Sequence, residues 1–221
     1  FSYEADRDFL NVKLPSEVEA GNEIILDISY VGQFNINATK GIVLASYDEG
    51  TNYIFTHFEP IFARFCLPCY DEPAIRAVFS VTIEHDSSYD VLSNMPVVSH
   101  DKTDDNHTVT TFEDTPQMQS YLLAFFIHKF PFIENNNTRV PQRIFARPAL
   151  IERPFFKNLV GNLSRILEAF EEYFEIPYSL PKMDHVIAPH FRSAIENWGL
   201  IGYNEVIESV KEAEGIKTVF H

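Results

Sequence analysis

Through the first two-thirds of the chain, apolar and polar residues alternate in short runs separated by turn-forming residues, the period-two pattern of strands. Ile24, Leu26, Ile28 and Tyr30 fall on one face of such a run, and Ile75, Ala77, Phe79, Val81 and Ile83 on one face of another. The continuous apolar run over residues 122–126 predicts a strand buried on both faces. Gly21-Asn22, Asp48-Glu49-Gly50, Asp86-Ser87-Ser88 and residues 101–106 supply polar loops at strand-like spacing. An antiparallel sandwich or curved sheet fits this pattern.

The period changes after Arg147-Pro148. Phe156, Leu159, Val160, Leu163, Ile166, Leu167, Phe170 and Phe174 recur at steps of three and four, which predicts one long amphipathic helix with this stripe facing a core. Pro177 stops it. Residues 184–188 read as a strand, 189–197 as a loop, 200–206 as another strand and 213–221 as the start of a helix. The predicted organisation is a β-rich domain over residues 1–147 followed by an α+β segment over 148–221.

Composition narrows the class. A chain of 221 residues that is 45% hydrophobic, with 20 Phe and 10 Tyr, can bury a core without staples. Its net charge of −15 repels phosphate backbones and excludes nucleic acid as a partner. No apolar run approaches the roughly 20 residues that span a bilayer, so no transmembrane segment is expected within the chain. Cys66 and Cys69 form a lone C-x-x-C without the second pair that a zinc knuckle needs, and read as two thiols or a local disulfide on a Pro-containing turn. Sequons at Asn37, Asn106, Asn136 and Asn162 point to glycosylation and an extracellular or cell-surface setting, with any plasma-membrane anchor outside the chain.

Several motifs occur in a fixed order: Thr56-His57-Phe58-Glu59-Pro60, then Ala63-Arg64, Pro68-Cys69-Tyr70-Asp71-Glu72-Pro73, Leu92-Ser93-Asn94-Met95-Pro96-Val97, Thr115-Pro116-Gln117-Met118, Ile176-Pro177-Tyr178-Ser179-Leu180-Pro181-Lys182 and Ser193-Ala194-Ile195-Glu196-Asn197-Trp198-Gly199-Leu200-Ile201. The ordered set resembles the zinc aminopeptidases of the aminopeptidase N family. That resemblance implies a mostly β chain with some α: a β-sandwich or saddle-like amino-terminal domain, then the α+β beginning of a thermolysin-like catalytic domain. It also implies zinc as cofactor and peptides with a free amino terminus as partners. The family's H-E-x-x-H is not found in these residues, so no complete zinc site is expected. The stretch Lys217-Thr218-Val219-Phe220-His221 resembles the approach to that motif and makes His221 a candidate first ligand.

An enzyme that cuts from the amino end must hold an ammonium and orient the adjacent carbonyl. Carboxylates suit the first task, because charge-assisted hydrogen bonds are about twice as strong as neutral ones. The resemblance assigns it to Glu59 and Glu196, and places the backbone of Ser193, Ala194 and Ile195, with Asn197, beside the substrate as an edge strand. His57 stands where the family has Gln, and its titration is expected near the ordinary value, raised by Glu59. Ser193 stands where the family has Gly, which would strain a left-handed backbone by roughly 1–2 kcal/mol. Phe62 and Phe65 replace residues that are usually polar or basic, and the loop before Ser193 is a residue short. Two functions follow: part of an active aminopeptidase, or a non-catalytic surface module that binds peptides.

Overall fold

The computed structural model describes residues 1–36, 39–48, 50–135 and 138–205. A hairpin of β1 (Ser2–Glu4) and β2 (Phe9–Asn11) opens the chain. Residues 12–34 then form no strand, and Ile24, Leu26, Ile28 and Tyr30 lie between 40 and 55% exposed. The alternation that predicts a strand is there, but a strand exists only through its ladder, and no described segment pairs with this one.

The first large sheet has the order β3 (Asn35–Ile36), β4 (Gly41–Asp48), β5 (Thr51–His57), β12 (Phe125–His128), β8 (Asp90–Ser93), antiparallel except at β3–β4. Beside it β7 (Thr82–Asp86), β10 (His107–Phe112) and β9 (Val97–Lys102) form a three-stranded antiparallel sheet, and β6 (Arg76–Ala77) pairs with β11 (Met118–Gln119). The apolar run over 122–126 is not one strand. It leaves a 3₁₀ turn, Ser120–Leu122, and enters β12 only at Phe125. The Asn94 side chain explains this, since it donates to Leu122 O at 2.8 Å and accepts from the Ala124 amide at 2.9 Å, taking backbone groups that a ladder would use.

The second large sheet has the order β13 (Phe132–Asn135), β14 (Gln142–Ala146), β15 (Met183–Ala188), β17 (Leu200–Asn204), β16 (Ala194–Asn197). Its inner pairs β14–β15 and β15–β17 are parallel and its edges antiparallel. Parallel neighbours need a crossover, and β14 reaches β15 through α1 (Pro148–Ile151) and α2 (Pro154–Phe174). The sheet thus begins at Phe132, before the change of period at Arg147. Part of the expected loop over 189–197 is the edge strand β16. The expected helix over 213–221 lies outside the described residues.

Helix α2 starts with Pro154 at its first position and ends at Glu175, whose left-handed backbone (φ 55°) closes it before Pro177 is reached. Phe156, Leu159 and Leu163 are buried with Ile144, Ile187 and Tyr203, so one face of the second sheet packs on the front of the helix. The back of the predicted stripe does not reach a core: Phe170 and Phe174 are 43% and 60% exposed and stack on each other. On the opposite face of the sheet Phe145, Val186, Phe191, Ile195 and Leu200 join Val43, Tyr53, Phe55 and Phe126 of the first sheet in a single core. The two sheets are therefore one packed body, and their shared core fixes the site.

Candidate functional site

At the seam between the sheets, three of the sequence motifs meet. Asn94 follows β8 and donates to the carbonyl of Trp198 at 2.7 Å as well as to Leu122. Lys182 is buried and donates to the carbonyls of Ser93 and Gly199, with Nζ 2.8 Å from Asp184. Arg143 closes the set with two bonds of 2.7 Å to the same carboxylate. Burial disfavours the charged form of Asp184, but Lys182 and Arg143 outweigh it and hold the carboxyl below its ordinary range. Gly199 turns β16 into β17 with φ 72°, and a Cβ there would come within 2.2 Å of the Asn94 carbonyl oxygen. Only glycine fits.

This seam presents β16. Within it Ile195 and Asn197 are buried, Ala194 is half-buried, and the carboxylate of Glu196 stands exposed between them. Its cross-strand partner is Ile201, and its charge adds to the burial that raises the Tyr203 phenol. Ser193, just before the strand, is exposed, and its carbonyl accepts the Asn204 amide at 3.0 Å. Among the described non-glycine residues only Asp8 and Glu175 have positive φ, so Ser193 carries none of the strain its replacement of Gly suggested.

Glu59 and His57 belong to the end of β5. His57 is its last residue, half-buried opposite Gly41, and Glu59 follows, exposed, before Pro60. Phe58 between them anchors the loop in a third core with Ala63, Met118 and Leu123. The loop is tied again by Asp71, which is buried and accepts from the Arg64 amide (3.1 Å), the Arg64 Nε (3.0 Å) and the Ser120 hydroxyl (2.7 Å). Asp71 thus ties the loop after Glu59 to Ser120, the first residue of the 3₁₀ turn that packs on β16, the strand of Glu196.

The titration expected for His57 is corrected. Burial pulls its imidazole below the ordinary value; the hydrogen bond with the Thr39 backbone and the charge of Glu59 only partly oppose this, and Arg192 adds to it. His57 also meets the ring of Phe62 edge-on, Phe62 stacks on Phe65, and Lys40 Nζ lies 4.8 Å over the first ring and 5.6 Å over the second. The two unusual phenylalanines are thus a cation-bearing wall beside His57.

Other candidates fall apart from this site. Asn106 is exposed in the turn before β10 and Asn162 on the outer side of α2, while Asn37, Asn136 and His221 lie outside the described residues. Cys66 and Cys69 are free thiols, each pushed up to about 11 by burial. Among the described residues no three His, Cys, Asp or Glu side chains converge as metal ligands, so these residues by themselves do not make a zinc site. Sequence reasoning missed the seam residues Asn94, Lys182 and Asp184 as positioning groups; their contacts join segments distant in sequence and leave no local signal.

A β-rich body leading into a mixed sheet whose edge strand offers a carboxylate has the organisation that the ordered motifs implied. Residues 1–122 match the Peptidase M1 N-terminal domain and residues 159–213 the Peptidase family M1 domain. The chain belongs to the peptidase M1 family. It is 36% identical to aminopeptidase Ey of Gallus gallus over 91% of this chain and 21% of that protein. To glutamyl aminopeptidase of Homo sapiens it is 36% identical over 82% of this chain and 19% of that protein, and to aminopeptidase N of Plutella xylostella 35% over 94% and 23%. The chain spans about a fifth of the length of these curated relatives.

Proposed function

We propose that this chain is the amine-recognising part of a zinc metalloaminopeptidase that removes amino-terminal residues from peptides. The observation that carries the reading is Glu196: an exposed carboxylate between two buried neighbours, on an edge strand held by a charged seam and packed on the 3₁₀ turn to which the loop after Glu59 is tied. A free backbone edge can read a peptide main chain whatever its side chains, and paired carboxylates select an ammonium, which an internal peptide nitrogen does not carry. In this reading Glu59 and Glu196 bind the amine, His57, Ser193, Ala194, Ile195 and Asn197 line the substrate, and zinc is held by residues among which His221 is one candidate. With the division expected from the sequence at residue 147, Glu59 and Glu196 belong to different domains, and the reading has both contribute to amine recognition. A cell-surface or extracellular setting is supported by the exposed sequons at Asn106 and Asn162.

Titration calorimetry of the full-length protein with a free-amine peptide and its acetylated form tests the reading. Glu196→Ala and Glu59→Ala should each weaken the free amine by about 1.5–3 kcal/mol, the worth of a hydrogen bond to a charged group, and leave the acetylated peptide alone. Unchanged affinity in both variants refutes the assignment. The second reading, a non-catalytic peptide-binding module, is favoured by the shortened loop before Ser193; chelator-sensitive release of amino acids would reject it.

A further inference from the structure

Two consecutive residues of the loop entering β16 dock on two alternate residues of β5, and the next residue of the loop follows toward the end of that strand. The Tyr53 hydroxyl bonds His190 Nδ1 at 2.7 Å, and Phe191 lies against Phe55 with ring centroids 4.6 Å apart. Arg192, the next residue, acts electrostatically on His57, the next residue along that face. A strand shows every second side chain on one face, so this one-to-two match carries Arg192 to the end of β5 where Glu59 follows. The match is locked from behind. The Phe191 ring covers Gly202 so closely that an added Cβ would lie 2.5 Å from it, and the Asn204 side chain donates to the carbonyls of Pro189 and Phe191.

Arg192 is exposed, and among the described residues no carboxylate lies within ion-pair distance of it. A cation without an ion-pair partner among the described residues therefore stands by His57, the residue whose other charged neighbour is Glu59, a carboxylate that would take an ammonium. We propose that Arg192 is a specificity-determining residue that accepts the side-chain carboxylate of an acidic first residue, Asp or Glu, while Glu59 and Glu196 hold its α-ammonium. The planar guanidinium suits this role, since it meets a carboxylate with two parallel hydrogen bonds. A neutral first residue leaves it unpaired, and a basic one meets like charge. The inference rests on the aminopeptidase reading above.

Initial rates of the full-length protein on α-glutamyl, alanyl and lysyl anilides test it. Wild type should favour glutamyl over alanyl over lysyl substrates in kcat/KM. Arg192→Gln should lower the glutamyl-to-alanyl ratio about tenfold, equivalent to about 1.4 kcal/mol. Arg192→Glu should move preference toward lysyl, and Arg192→Lys should keep the acidic preference. Alanyl turnover with an unchanged ratio in Arg192→Gln overturns this inference alone. If no anilide is cleaved but free-amine peptides bind, the ratio is read instead from dissociation constants of Glu-first and Ala-first peptides: a fall in Arg192→Gln supports the inference and an unchanged ratio overturns it. Absence of both turnover and free-amine binding overturns the aminopeptidase reading and this inference with it.

Discussion

At the scale of single residues, the site depends on a few positions whose chemistry has no substitute. Gly199 is the sharpest: its left-handed backbone disfavours any Cβ, and the Asn94 carbonyl already occupies the place a Cβ would take. Gly199→Ala should destabilise the protein by more than about 2 kcal/mol, combining left-handed strain with displacement of a packed carbonyl, as urea denaturation would show. His57 makes a different prediction. Burial pulls its imidazole below the ordinary histidine value, so at a given pH it is more often neutral, and able to accept a hydrogen bond, than a free histidine. Affinity for a free-amine peptide should hold to lower pH than an ordinary histidine would allow, falling in more acid solution where imidazolium would repel the ammonium. A calorimetric titration that weakened already at pH 7 in wild type, but not in His57→Gln, would contradict the direction of that shift.

At the scale of elements, legibility followed how local the determining interaction was. Helix α2 was readable because its three- and four-residue spacing is written in consecutive residues, and the strands β15 and β17 because short apolar runs sit between Pro and Gly. How far the helix is covered was not readable, since that depends on where the second sheet ends. Phe156 is fully buried against it and Phe174 projects beyond. Phe156→Ala should therefore cost about 3–5 kcal/mol and Phe174→Ala within about 0.5 kcal/mol, a contrast that equilibrium denaturation resolves. The failed strand over residues 24–30 shows the same limit from the other side, for alternation specifies which face a strand would bury and not whether a partner is present. Of the proposed site, Glu59 and Glu196 stand out in the sequence only through motif order. The docking of residues 190–191 on β5 does not, because residues 137 apart meet only after both sheets have formed.

At the scale of the whole molecule, the shared core that aligns the two halves of the site also buries ionisable groups, and this couples folding to acid. His128 is fully buried among the rings of Phe126, Phe130 and Phe145, accepting the Phe130 amide on Nδ1 while Nε2 finds no partner, and burial pushes it down to about 3. His185, between Gln142 and Tyr203 on the helix-facing side of the second sheet, is pushed down to about 4 by burial. Asp184 draws both upward and Arg143 or Lys182 opposes it, so the seam charges leave burial in control. Both histidines are neutral when folded and take a proton near pH 6.5 when unfolded, so the unfolded chain binds more protons below that value. Their contribution to stability is complete above about pH 6.5 and is lost as pH falls toward the folded values. Asp184, whose carboxyl is depressed instead, withdraws its contribution only in more acid solution, once pH drops below the ordinary Asp value near 3.9. Between about pH 6 and 5 the two histidines should make unfolding free energy fall by up to about 3 kcal/mol per pH unit, on the order of one proton's worth each. His128→Asn, whose amide oxygen can still accept from the Phe130 N–H, should halve that slope whatever it does to stability at pH 7. Urea denaturation at a series of pH values measures the slope directly. An unfolding free energy that stays constant from pH 7 to 5 would show that neither imidazole is held neutral by its burial.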